Sequence, residues 1–113
     1  NQTVEELMRA VSALVDKEYQ WAAKAYGGAA ASPHEGYALV KEEVEEADQE
    51  MERLKKKLGF LWLNVKNDAE DMVQRNFEDM KSMAIAGACE LIQVAAMADK
   101  GVEGIRKGRG EKC

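Results

Sequence analysis

The segment Ser32-Pro33-His34-Glu35 constrains the fold of this chain more than any other. Pro33 is the only proline among 113 residues. Its fixed φ suits the first position of a helix, where its missing N–H is not needed. Ser32 is a capping side chain, and Glu35 three residues later completes a capping box. A long helix is therefore predicted from Pro33 to about Val65. Gly59 lies inside it and is expected to bend it, at a cost of ~1 kcal/mol relative to Ala.

The same grammar starts the chain. Thr3 and Glu6 form a second capping box. Val4, Leu7, Met8, Val11, Leu14 and Val15 follow at helical spacing, and the stripe meets one polar residue at Glu18. Trp21, Ala22, Ala25 and Tyr26 extend it until Gly27-Gly28, a C-cap signal, ends it. Asn67-Asp68 predicts the start of a third helix running to Lys100, with a break near Met80 to Ala84. Gly101, Gly104, Gly108 and Gly110 predict a weakly ordered tail over 101–113. Nothing reads as a strand or a repeat. The expected fold is all-α, a single domain over 1–113 built as an antiparallel bundle of three to four long helices. Helices of roughly 25 to 33 residues span about 40 to 50 Å. A homodimer or homotetramer joined through helix faces is the natural way to cover such lengths.

Charge narrows the function. Sixteen Lys and Arg stand against 21 Asp and Glu, a net of −5, which argues against an electrostatic nucleic-acid binder. The longest uncharged apolar stretch, Met83 to Cys89, is far short of a bilayer span, so no membrane partner is expected. Two cysteines and one histidine support neither a disulfide framework nor a zinc site, and a cytoplasmic setting is expected.

Two groups of residues carry candidate chemistry. Between Met83 and Ala98 only Glu90 and Gln93 are polar, and three-residue spacing places both on one side of an otherwise greasy helix. An ionised carboxylate there is costly unless paired or metal-bound. On the helix after Pro33, Glu43, Glu46 and Glu50 fall within roughly 60° of one another. Glu43 sits at the rim of the apolar stripe formed by Val40, Ala47, Met51, Leu54, Leu58, Leu61 and Val65, whereas Glu42 and Glu45 point away. Carboxylates facing one another repel unless a cation joins them. An all-oxygen set suits Mg²⁺ or Mn²⁺. Such ions commonly complete their shells with substrate phosphates.

The run Ser32-Pro33-His34-Glu35-Gly36-Tyr37 through Glu42-Glu43-Val44-Glu45-Glu46, with Glu90-Leu91-Ile92-Gln93 later, resembles the MazG-like all-α nucleoside triphosphate pyrophosphohydrolases, in particular their short phage-associated versions. That family carries EExxE on one helix and ExxD on a later one. The resemblance covers roughly residues 32 to 100. It implies a helical, oligomeric fold that releases pyrophosphate from a nucleoside triphosphate with Mg²⁺. Carried over, Glu43, Glu46, Glu90 and Gln93 would be metal ligands, and Glu46 or Glu50 would orient the attacking water. Gln93 stands where the family has Asp; its amide oxygen can ligate but brings no charge. That departure supports an alternative, a catalytically degenerate interaction protein that keeps the fold. Lys41 and Lys100 are candidate phosphate contacts and Trp21 a candidate base-stacking residue, with Lys66, Tyr37 and Trp62 considered for the same roles. His34 and Glu35 serve first as capping residues.

Overall fold

The computed structural model describes residues 3–110. Three helices follow one another: α1 (Val4–Tyr26), α2 (Pro33–Lys66) and α3 (Glu70–Gly108). No strand occurs among the described residues. The N-cap hydrogen bond of each predicted box forms. The Glu6 N–H donates to Thr3 Oγ1 at 3.1 Å and the Glu35 N–H to Ser32 Oγ at 3.1 Å. Gly27 closes α1 at φ 93°, and its N–H donates to the Ala23 carbonyl. That positive φ is a region L side chains avoid, which is why a glycine stands there.

Three boundaries differ from the sequence expectation. Asn67-Asp68 does not open a helix. Asp68 takes φ 52°, and the Asn67, Asp68 and Ala69 N–H groups bond back to Leu63, Val65 and Asn64 carbonyls. The pair is thus the C-terminal cap of α2, a role in which Asn and Asp tolerate the left-handed region. α3 passes unbroken through Met80 to Ala84. The glycines expected to loosen the tail instead lie in helix as far as Gly108; residues 111–113 fall outside the described set.

The chain forms two compact units. The first gathers α1, the start of α2 up to Val44, and α3 from Leu91 onward. Its core is small: Ala22, Ala96 and Met97 are buried, and Tyr19, Leu39 and Val40 pack around them. Small residues allow close backbone approach here. The Ala30 N–H donates to the Lys100 carbonyl at 2.9 Å, and Ala30 lies directly against Gly104. Gly36 lies against Gly101 in the same way.

The second unit, Glu45–Glu90, is a helical hairpin. Its half-buried positions recur at alternating spacings of three and four. On α2 they are Ala47, Glu50, Leu54, Lys57, Leu61 and Asn64. On α3 they are Val73, Met80, Met83, Gly87 and Glu90, with Asn76 the one buried residue among those described in this unit. This is the seam of an antiparallel coiled coil, and much of it is polar. Asn64 Nδ2 donates to Asn76 Oδ1 at 2.7 Å, and Lys57 pairs beside the seam with Asp79 at 3.2 Å. Met51, Leu58, Trp62 and Phe77 remain largely exposed. α3 also contains 18 residues long and apolar enough to cross a membrane, of which 11% are buried; the sequence expectation of no such span counted only its uncharged stretch.

Candidate metal centre

Glu43 and Glu46 stand one turn apart on α2, and Glu90 stands on α3. Each offers a carboxylate oxygen, and the three oxygens lie within 4.8 Å of one another. Glu46 and Glu90 belong to the hairpin, and Glu43 precedes Glu46 on the same continuous helix. Glu43 and Glu90 are half-buried while Glu46 is exposed. The helical arithmetic explains the grouping. Glu90 occupies a seam position of α3, so its side chain is aimed at α2 rather than at solvent. Glu43 continues the α2 seam one turn before Ala47, and Glu46 flanks it.

Like charges this close repel by about 1 kcal/mol per pair at a water-like dielectric and by more as water is excluded. A hard divalent cation reverses that sign. The donors are all carboxylate oxygens, without thiolate or imidazole, which fits Mg²⁺ or Mn²⁺ and does not fit a structural zinc.

The remaining candidates fall elsewhere. Glu50 is half-buried beside Gly87, and its Oε1 pairs with Arg53 at 3.0 Å. It is outside the three-carboxylate group. Gln93 donates Nε2 to Glu18 Oε1 at 2.7 Å, joining α3 to α1 inside the first unit. Only its carbonyl oxygen is left as a donor atom for a metal. Lys100 is 6% exposed, so its charge is not displayed on the surface as a free lysine would display it. Lys41 is exposed. Trp21 is 59% exposed and meets Tyr26 edge to face at 5.9 Å. Trp62 lies under Lys66 Nζ at 5.5 Å, which gives both an exposed cation–π role. Glu42 and Glu45 face solvent, as the wheel requires. His34 is exposed in the first turn of α2.

Glu18 is the residue whose role the sequence pattern understated. It interrupts the apolar stripe of α1, and that interruption was the available signal. A half-buried polar residue calls for a partner, but the partner, 75 residues away, is set by packing alone. The first unit also holds an open apolar groove lined by Pro33, Gly36, Tyr37, Val40, Ala98, Gly101 and Ile105. Comparison with known proteins finds no matching family model, no matching curated protein and no matching solved structure.

Proposed function

We propose that this protein hydrolyses a nucleoside triphosphate to the monophosphate and pyrophosphate with Mg²⁺ or Mn²⁺. The observation that carries the reading is the approach of three carboxylate oxygens from two helices to within 4.8 Å. The likeness of the motifs to the MazG-like enzymes supports it. Glu43, Glu46 and Glu90 would hold the ion. A divalent cation at such a set supplies charge neutralisation for a polyphosphate and acidifies a bound water. Glu46, the exposed member, would accept a proton from water arriving from solvent. Glu50 is less suited to that task because Arg53 occupies its Oε1. The apolar groove beside Tyr37 would receive the base. Val40 on its wall stands one turn before Glu43 on α2, so base and phosphates would lie along one helix.

The Glu18–Gln93 hydrogen bond favours a second reading. It engages the residue standing where a fourth metal-binding carboxylate is expected, as in a helical interaction protein that has lost turnover. One experiment separates the two. Purified protein is incubated with a panel of ribo- and deoxyribonucleoside triphosphates and Mg²⁺ or Mn²⁺, and pyrophosphate is measured. The enzyme reading expects release from at least one nucleotide and loss of at least about a hundredfold in Glu43→Gln. No release from any nucleotide, with divalent-ion binding retained in calorimetry, establishes the second reading.

A further inference from the structure

The charge of α2 changes sign along its length. From Pro33 to Glu52 the helix carries eight Asp and Glu against one Lys. From Arg53 to Lys66 it carries Arg53, Lys55, Lys56, Lys57 and Lys66, and no acid. The helix macrodipole favours cations at a C-terminus, but its effect falls off within the last turn. Lys55, Lys56 and Lys57 lie two to three turns before that end, beyond its reach.

The same stretch keeps its apolar side chains in solvent. Leu58, Phe60, Trp62, Leu63 and Val65 are all exposed, Trp62 at 60% and Leu63 at 49%. At 100° per residue, Lys55, Lys56, Gly59, Trp62, Leu63 and Lys66 project more than about 110° from the half-buried seam residues Leu54, Lys57, Leu61 and Asn64. They form the back of α2, turned away from α3 and about 16 Å long from Lys55 to Lys66. Cations and rings are interleaved there. Lys66 Nζ lies over the Trp62 ring at 5.5 Å, and at the flank Lys57 Nζ lies 6.0 Å from the Phe60 ring centre. Lys55 meets Glu52 at 3.3 Å with both side chains exposed, a pairing that contributes little in water.

Charge separates this surface from the other exposed apolar residues. The stripe of α1 lies on a helix with four acids and three bases. Met72 and Phe77 lie on α3 among Glu70, Asp71, Glu78 and Asp79, against Arg75 and Lys81. Lysines beside Trp and Leu on one helix are the composition of a helix that rests on a lipid surface. Trp rings settle at headgroup level, and lysine stems lie along apolar surface while their charges reach outward. A single strand of nucleic acid fits less well. It needs a groove to track its backbone, whereas a helix back is convex, and Leu58, Leu63 and Val65 offer nothing to phosphate.

We infer that the Lys55–Lys56–Trp62–Leu63–Lys66 back of α2 docks on the surface of an anionic lipid bilayer. The lysines meet the lipid phosphates while Trp62 and Leu63 enter the headgroup layer. α3, with its acids, faces away from the lipid. Such a peripheral contact needs no membrane span. It stands apart from the proposed hydrolysis, and its readout needs neither nucleotide nor divalent ion.

The test is co-flotation of the full chain with vesicles of equal parts phosphatidylglycerol and phosphatidylcholine. Low salt and EDTA are used, so that no divalent ion bridges carboxylates to lipid. Binding is expected, and it should be at least about tenfold weaker on phosphatidylcholine alone, in Lys55→Glu with Lys56→Glu, and at high salt. Tryptophan emission reads the orientation. In Trp21→Phe, the Trp62 emission is expected to move to shorter wavelength when the anionic vesicles are added. In Trp62→Phe, the Trp21 emission is expected to stay where it was. Should the double charge variant lose its helical signal, these two emission measurements decide alone. Absence of co-flotation with the anionic vesicles overturns the inference. So do equal binding to phosphatidylcholine alone, binding undiminished in a folded double charge variant, and a shift at Trp21 in place of Trp62. Quenching of Trp62 by an oligothymidylate without co-flotation overturns it in favour of nucleic acid.

Discussion

Replacing Gly104 by Ala separates two opposing effects at one position. In a helix interior Ala is better than Gly by about 1 kcal/mol, so the change alone would stabilise α3. At Gly104 the new Cβ would come closer to the Ala30 carbonyl oxygen than real Cβ atoms do, and would lie 3.2 Å from the Ala30 carbonyl carbon. Those are backbone atoms, and Ala30 is also tied to the Lys100 carbonyl by its N–H, so the neighbour cannot simply rotate away. Overpacking of this kind costs about 1 to 3 kcal/mol, and straining the Ala30 hydrogen bond adds about 0.5 to 1.5. The net expectation is a loss of about 1 to 3 kcal/mol. Gly101, three residues earlier, has nothing within 4 Å of an added Cβ, so Gly101→Ala should gain up to about 1 kcal/mol. Urea unfolding followed by circular dichroism, at one fixed protein concentration, reads both. The midpoints should move in opposite directions, by on the order of 1 M for Gly104→Ala given the usual slope for a chain this size. If Gly104→Ala stabilises as much as Gly101→Ala, the close approach of Ala30 to α3 is refuted.

Other outcomes test the polar contacts. Asn76→Leu leaves the Asn64 amide facing an apolar side chain and should cost about 1 to 3 kcal/mol, while Asn64→Leu with Asn76→Leu should recover most of it; additive losses in a double-mutant cycle would show that the two amides do not interact. Gln93→Glu sets a carboxylate against Glu18 and should lower stability by about 2 kcal/mol. The exchanged pair Glu18→Gln with Gln93→Glu should restore it, and thermal unfolding that shows no such rescue would contradict the contact.

Helix starts at Thr3 and Ser32 were readable because capping is local, with cap and partner three residues apart. Asn67-Asp68 was ambiguous for the same reason. Those residue types both open helices and close them in the left-handed region, and only the direction of the surrounding hydrogen bonds decides. The glycine-rich end of α3 misled because propensity favours a coil there, whereas close packing of Ala30 on Gly104 requires a residue without a Cβ. At the site, periodicity placed Glu43 at the rim of the stripe and Glu90 on a buried side. That the two helices then align at that level is a property of the hairpin register. The Asn64–Asn76 pair helps fix that register from more than 12 residues away along α2. Gln93 looked like a ligand because a lone amide in an apolar helix calls for a partner, and the partner it takes is Glu18.

The division of the chain into an inserted hairpin and a unit made from both ends sets an order of assembly. Asn64 and Asn76 are 12 residues apart, Glu18 and Gln93 are 75 apart. Short loops close at lower entropic cost than long ones. During synthesis the Glu45–Glu90 segment is therefore complete and able to zip while α1 still waits for the α3 residues it will rest on. For that interval the Tyr19–Ala22 part of the first helix has only solvent, or another nascent chain, in place of Ala96 and Met97.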